Sequence, residues 1–111
     1  MTRQEVINYS LTLSETFVDY PFSDKKYGEC PVIKHKNNKK WFAIFMKVGN
    51  DEYLNVKTNP DYSDILRNSY DYIIPAYHMN KEHWNTIIIN RNVDKELVKE
   101  LVQLSYELTI K

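Results

Sequence analysis

The stretch PVIKHKNNKKWFAIFMKVGNDEYLNVKT, Pro31–Thr58, decides the fold. Its centre, Lys40 to Val48, reads as the strongest strand of the chain. Strict alternation assigns Phe42, Ile44, Met46 and Val48 to one apolar face, and Trp41, Ala43, Phe45 and Lys47 to the other. Upstream, Pro31 to Lys36 is a second strand. Asn37-Asn38 between the two suits a tight hairpin turn, because asparagine tolerates positive φ better than most residues. Downstream, Gly49-Asn50-Asp51 turn the chain into a third strand, Tyr53 to Thr58. Leu54 and Val56 would face the core there, and Tyr53, Asn55 and Lys57 would face away. Adjacent strands joined by short turns imply an antiparallel sheet.

Helical signals flank these strands. Thr2 with Glu5 is a capping-box pair, and Met1 with Val6 has the spacing of a hydrophobic staple. Val6, Tyr9, Leu13 and Phe17 then recur at helical intervals, and Pro21 closes that region. Asn59-Pro60-Asp61 starts a second helix: asparagine as cap, proline at the first helical position, aspartate at the positive end of the dipole. Tyr62, Ile65, Leu66 and Tyr70 mark its buried side. Two further strands are expected near Tyr72–Tyr77 and Thr86–Asn90. A last helix starts at Asp94, stapled by Val93 and Val98, with Leu97, Leu101, Leu104 and Leu108 as its apolar stripe. The order α-β3-α-β2-α is an α+β fold, two layers with an antiparallel sheet. Helices on one face would leave the other open, carrying some of Trp41, Phe45, Tyr53, Asn55 and Lys57, a candidate recognition surface.

At 111 residues, 42% hydrophobic and 27% charged, the chain suits a single globular domain spanning 1–111. Apolar runs such as Phe42–Met46 are far shorter than the roughly twenty residues of a membrane span. Met1 to Glu5 has no apolar core of a secretory signal. Cys30 is the one cysteine, so no internal disulfide forms and a reducing, cytoplasmic setting is expected. Two glycines leave no glycine-rich phosphate loop. Nine tyrosines suit a shallow core with hydroxyls at its rim, or a semi-polar binding face.

Charge is unevenly spread. Residues 25–47 hold seven lysines against Glu29 alone, a net of +6, while the remainder carries eight bases and fourteen acids, a net of −6. Such a field can steer an anionic partner although the total is zero; lysines also protect sheet edges from aggregation. The hairpin tip Lys34, His35, Lys36, Asn37, Asn38, Lys39, Lys40, next to Trp41, suits phosphate contacts, with Asn37 and Asn38 able to reach base edges. The cluster His78-Met79-Asn80-Lys81-Glu82-His83-Trp84 does not fit a zinc motif. Its histidines are five apart, which turns them away from each other on a helix. Asn80 is expected to cap a single turn and Trp84 to pack inward. Cys30 and His35, five apart on a strand, fall on opposite faces and cannot form a dyad. No catalytic constellation and no cofactor site emerges.

Five blocks resemble the MmcQ/YjbR family: Tyr20-Pro21-Phe22; Lys40-Trp41-Phe42-Ala43; Leu54-Asn55-Val56-Lys57; Pro75-Ala76-Tyr77-His78-Met79-Asn80-Lys81-Glu82-His83-Trp84; and Ser105-Tyr106-Glu107-Leu108. They fall in family order and span nearly the whole chain. The Pro-to-Trp block is the most specific. The resemblance implies a small bacterial cytoplasmic protein with a CyaY-like fold, also grouped with secretion-chaperone-like two-layer folds. It also implies DNA binding through a double-wing hairpin arrangement, with no catalytic or metal site to carry over. The expectation is a non-enzymatic DNA-binding protein. Lys34, Lys36, Asn37, Asn38, Lys39 and Lys40 would contact nucleic acid, and Trp41, Lys57, His78, Lys81 and His83 are further candidates. The alternatives are a protein-interaction module (a homodimer or another partner on the open sheet face) and a small-ligand binder near His78 and His83.

Overall fold

The computed structural model describes residues 1–21, 23–76 and 79–111, with the backbone alone for Ser23 and Asp24. In chain order the elements are α1 (Arg3–Ser10), β1 (Thr16–Asp19), β2 (Ser23–Asp24), β3 (Gly28–Glu29), β4 (Val32–His35), β5 (Trp41–Val48), β6 (Asp51–Lys57), α2 (Pro60–Ser69), β7 (Ile73–Pro75), β8 (Trp84–Ile88) and α3 (Lys95–Thr109). Six strands form one antiparallel sheet, ordered β1-β4-β5-β6-β8-β7, and β2 with β3 forms a separate two-stranded ribbon. The fold is α+β, as expected, but it holds three strands more than the sequence reading counted.

The extra sheet strand comes from the first helix being shorter than its apolar period implies. The capping box is present: Thr2 Oγ1 accepts from the Glu5 N–H, and the Glu5 carboxylate accepts from the Thr2 N–H. The helix nevertheless stops at Ser10. Thr16 Oγ1 donates to the Leu13 carbonyl, 2.9 Å, and Glu15 takes a left-handed φ of 57°, so the chain reverses. Phe17 therefore lies in β1 beside β4, not on the helix.

Three helices cover one face of the sheet. The Arg3 guanidinium of α1 lies over the Phe45 ring. Arg67 of α2 donates to Asn85 on β8, 2.7 Å. On α3, Ser105 bonds the Phe42 carbonyl, 2.6 Å. Ile33, Ala43, Phe45, Leu54, Val56, Ile73 and Ile87 are buried beneath them in one core with Val6, Leu66, Leu101 and Val102.

A β-bulge takes Phe42 out of the simple alternation that the rest of β5 keeps. Ile33 pairs with Ala43, yet the next residue of β4, Lys34, pairs with Trp41. Phe42 is the additional residue, and a bulge of this kind turns two successive side chains to nearly one side. Phe42 packs against Tyr106 of α3, with ring centroids 5.4 Å apart, on the face that Ala43 and Phe45 also occupy. Phe45 is thus under the helices, and Ile44 and Met46 stand opposite Asn55 and Tyr53 on the other face. The middle of that face is not open either: Val32, Ile44, Met46, Asn55, Thr86 and Ile88 on it are all buried, while Phe17, Lys34 and Trp41 at one end stay partly exposed.

Helix stripes are shifted for a related reason. On α3 the buried residues are Leu97, Val98, Leu101, Val102, Ser105 and Thr109, while Leu108 is 37% exposed. Ser105 and Thr109 turn inward because their hydroxyls have partners there, which an apolar count overlooks. Asp94 caps α3 by accepting from the Glu96 and Leu97 N–H groups. On α2, Pro60 occupies the first turn, but the Asn59 side chain makes no cap bond, and Ile65 is exposed while Leu66 is buried.

Candidate nucleic-acid interface

The lysine-rich hairpin joins β4 to β5 through residues 36–40, five residues and not a two-residue turn. His35 O accepts from the Lys39 N–H, 3.0 Å, and the His35 N–H donates to Lys40 O, 3.1 Å. The left-handed position is taken by Lys39, φ 61°, and neither asparagine adopts positive φ. The Lys36 N–H donates to Glu15 O, 2.8 Å, which ties the loop to the turn before β1.

The loop is also docked on the end of α3. Asn38 Nδ2 donates to Thr109 O, 2.9 Å, and its Oδ1 accepts from the Lys40 N–H, 2.9 Å. The Lys40 ammonium donates to the Lys111 main-chain oxygen. These cationic and amide donors satisfy carbonyls that a helix end leaves unpaired, and they complement its dipole. Asn38 and Lys40, both expected on nucleic acid, are therefore engaged within the protein, and the tip is anchored.

His35 is the centre of that docking. It is 2% exposed, held between the rings of Phe42 and Tyr106 at centroid distances of 4.9 and 4.7 Å. Thr109 Oγ1 donates to Ser105 O, 2.7 Å, which leaves its lone pairs to accept from a His35 Nε2–H at 2.8 Å. Burial holds the imidazole below its ordinary range; donation from the ring to the Tyr106 main-chain carbonyl opposes this and the Lys40 ammonium reinforces it. Cys30 is buried separately, its Sγ 3.7 Å from Gly28 O.

Lys34, Lys36, Asn37 and Lys39 fall elsewhere. Lys36, Asn37 and Lys39 are exposed at the tip. Lys34 points to the face away from the helices and bonds Asp19, 2.7 Å. That bond, with the Tyr20 N–H, holds the Asp19 carboxyl below the usual carboxylate range. The Lys34 ammonium lies 6.0 Å from the Phe17 ring centre and 5.8 Å from that of Trp41, and the Lys39 ammonium lies 5.1 Å from Phe17. Phe17 and Asp19 were missed in the sequence because both were read as part of, or beyond, the first helix. The run Thr16-Phe17-Val18, rich in strand-forming side chains, is the signal that could have found them.

Lys47 stands at the opposite end of β5 from the loop. An eight-residue strand spans about 25 Å, so the seven lysines do not share one flank. Lys57 lies on β6 beside Trp84 of β8, with its N–H donating to Ser105 Oγ, 2.9 Å. His78 lies outside the described residues. The neighbouring Lys81 and His83 serve through their main chains. Lys81 O accepts from Arg67, and His83 O accepts from the Thr58 N–H, 2.7 Å. Asn80 Oδ1 caps the intervening turn through the Glu82 N–H, 2.9 Å. Trp84 itself is a strand residue. An open groove of about 460 Å³ lies alongside, lined by Pro60, Ser63, Asp64, Arg67, Lys81 and Glu82. No described helix is long and apolar enough to cross a membrane.

These features define a class: an α+β domain whose antiparallel sheet carries three helices on one face and a basic hairpin at one end. The chain belongs to the YjbR family, whose model matches residues 11–108. It is 34% identical to the YyaQ protein of Bacillus subtilis (strain 168), over 98% of each chain. It is 29% identical to YjbR of Escherichia coli (strain K12), over 62% of this chain and 58% of that one. Among solved structures, a Pseudomonas syringae protein superposes with a TM-score of 0.85 at 33% identity, covering 98% of this chain and 99% of the other. Deinococcus radiodurans protein DR2400 superposes with a TM-score of 0.85 at 26% identity, covering 99% of this chain and 79% of the other.

Proposed function

We propose that the chain is a non-catalytic DNA-binding domain that contacts phosphates through the β4–β5 hairpin, with Lys36 and Lys39 as the principal ligands and Asn37 beside them, Lys34 being paired with Asp19. The observation that carries this reading is an exposed cationic loop held in place. Lys36, Asn37 and Lys39 project to solvent, while His35, Asn38 and Lys40 fasten the same loop to α3. Anchoring lowers the ordering cost of binding, and the local field attracts a polyanion despite zero net charge. The protein-interaction alternative loses its main support, since the middle of the face expected to be open, Ile44, Met46 and Asn55, is buried and only its rim, Trp41 included, is partly exposed.

The test is a salt titration with a DNA duplex. Two or three neutralised phosphates give a slope of log K against log salt of about −2 to −3. Replacing Lys36 and Lys39 together with glutamine is expected to bring the slope to between about 0 and −1 and weaken every duplex sequence alike. Absence of binding to any DNA at 50 mM salt would refute the proposal.

A further inference from the structure

We infer that the site is built for a single strand, with Phe17 and Trp41 as platforms on which unpaired bases stack. This rests on the DNA-binding reading above and specifies the form of the ligand. Phe17, Lys34 and Trp41 are directly opposite one another on three adjacent strands, β1, β4 and β5. They form a row of ring, ammonium and ring on one face. Neighbouring strands are about 4.8 Å apart, which puts the two rings roughly 10 Å from each other. Both are partly exposed.

The charges on this row are unequal in kind. Lys34 is matched by Asp19 and sits between the two rings, so it serves as a neutralised spacer that holds them apart. Lys39 bonds no carboxylate among the described residues; it arches over Phe17 from the loop, beside exposed Lys36. Cations at the border of two aromatic platforms reproduce the chemistry of sequence-tolerant single-strand binding, where rings take bases and lysines follow the backbone. A duplex can use only the lysines, because its bases are stacked on each other and present no free ring face. DNA and RNA strands share this chemistry.

The probes are a twelve-residue oligothymidylate, a twelve-residue oligouridylate and a twelve-base-pair DNA duplex, each titrated at 50 mM salt with intrinsic fluorescence as the readout. At least one single strand is expected to bind tenfold or more tightly than the duplex and to quench tryptophan emission. The chain has two tryptophans, Trp41 and Trp84, and the quench should disappear in Trp41→Phe. Trp41→Leu and Phe17→Leu should each lose about tenfold in single-strand affinity while duplex affinity stays within twofold. Trp41→Phe, which keeps a ring in register, should lose less and serves as the folded control. Equal affinity for single strand and duplex, or a quench that survives Trp41→Phe, overturns the inference while leaving the duplex reading intact. No binding to any of the three probes overturns both.

Discussion

Lys39 shows what one residue can reveal. A non-glycine side chain held at φ 61° costs roughly 1 kcal/mol relative to glycine, and asparagine, better suited to that conformation, lies just before it at Asn37 and Asn38. The strained lysine delivers its ammonium to Phe17. Lys39→Gly is therefore expected to raise stability by roughly 0.5–1 kcal/mol in urea unfolding while weakening nucleic-acid binding. A stability loss would show that the contact with Phe17 outweighs the strain. His35 has the opposite character, a buried residue with a stability role. Its native pKa lies below the ordinary value, so below about pH 6.5 the unfolded chain takes up a proton that the native state refuses. The unfolded state then binds more protons, and stability falls as pH drops from 6.5 towards the native pKa. Urea midpoints measured from pH 7.5 to 5 should decline more steeply for the natural chain than for His35→Gln.

At the level of elements, the β5 bulge explains most of what differs from a simple alternating strand. The extra residue at Phe42 lies in the pairing with β4; on the other side the ladder with β6 ends at Ile44 and Asn55, and Ser105 bridges the two strands beyond it. Its hydroxyl donates to Phe42 O and accepts from the Lys57 N–H. Ser105→Ala would leave both main-chain groups unpaired near the core, an expected loss of about 1–3 kcal/mol measured by chemical denaturation. A loss below 0.5 kcal/mol would mean that water reaches the bulge. The second and third helices, the three central strands and the N-terminal capping box were legible because caps and turns are local signals. The bulge was not, since it depends on which residue of β4 stands opposite. Nor was the early end of α1, where Thr16 from beyond the helix takes up the carbonyl of Ser10, its last residue.

For the whole molecule, the decisive quantity is where charge sits, not how much there is. Net charge is zero, so overall attraction to a polyanion is absent and binding must come from a local patch. Lys47, at the far end of β5, belongs to the basic segment in sequence but not in space. Lys47→Gln should leave DNA affinity within twofold, whereas Lys36→Gln should reduce the salt slope by about 0.9; equal effects from both would indicate a diffuse field in place of a site. By itself the sequence determined the α+β class, the antiparallel central strands, the family and a lysine-rich hairpin, because periodicity, caps and composition are properties of neighbouring residues. Only the tertiary structure decided which hairpin residues face outward, since Asn38 and Lys40 are claimed by the end of a helix some seventy residues away in the chain. It alone also aligned Phe17, Lys34 and Trp41, because strand register is a relation between segments that no local pattern encodes.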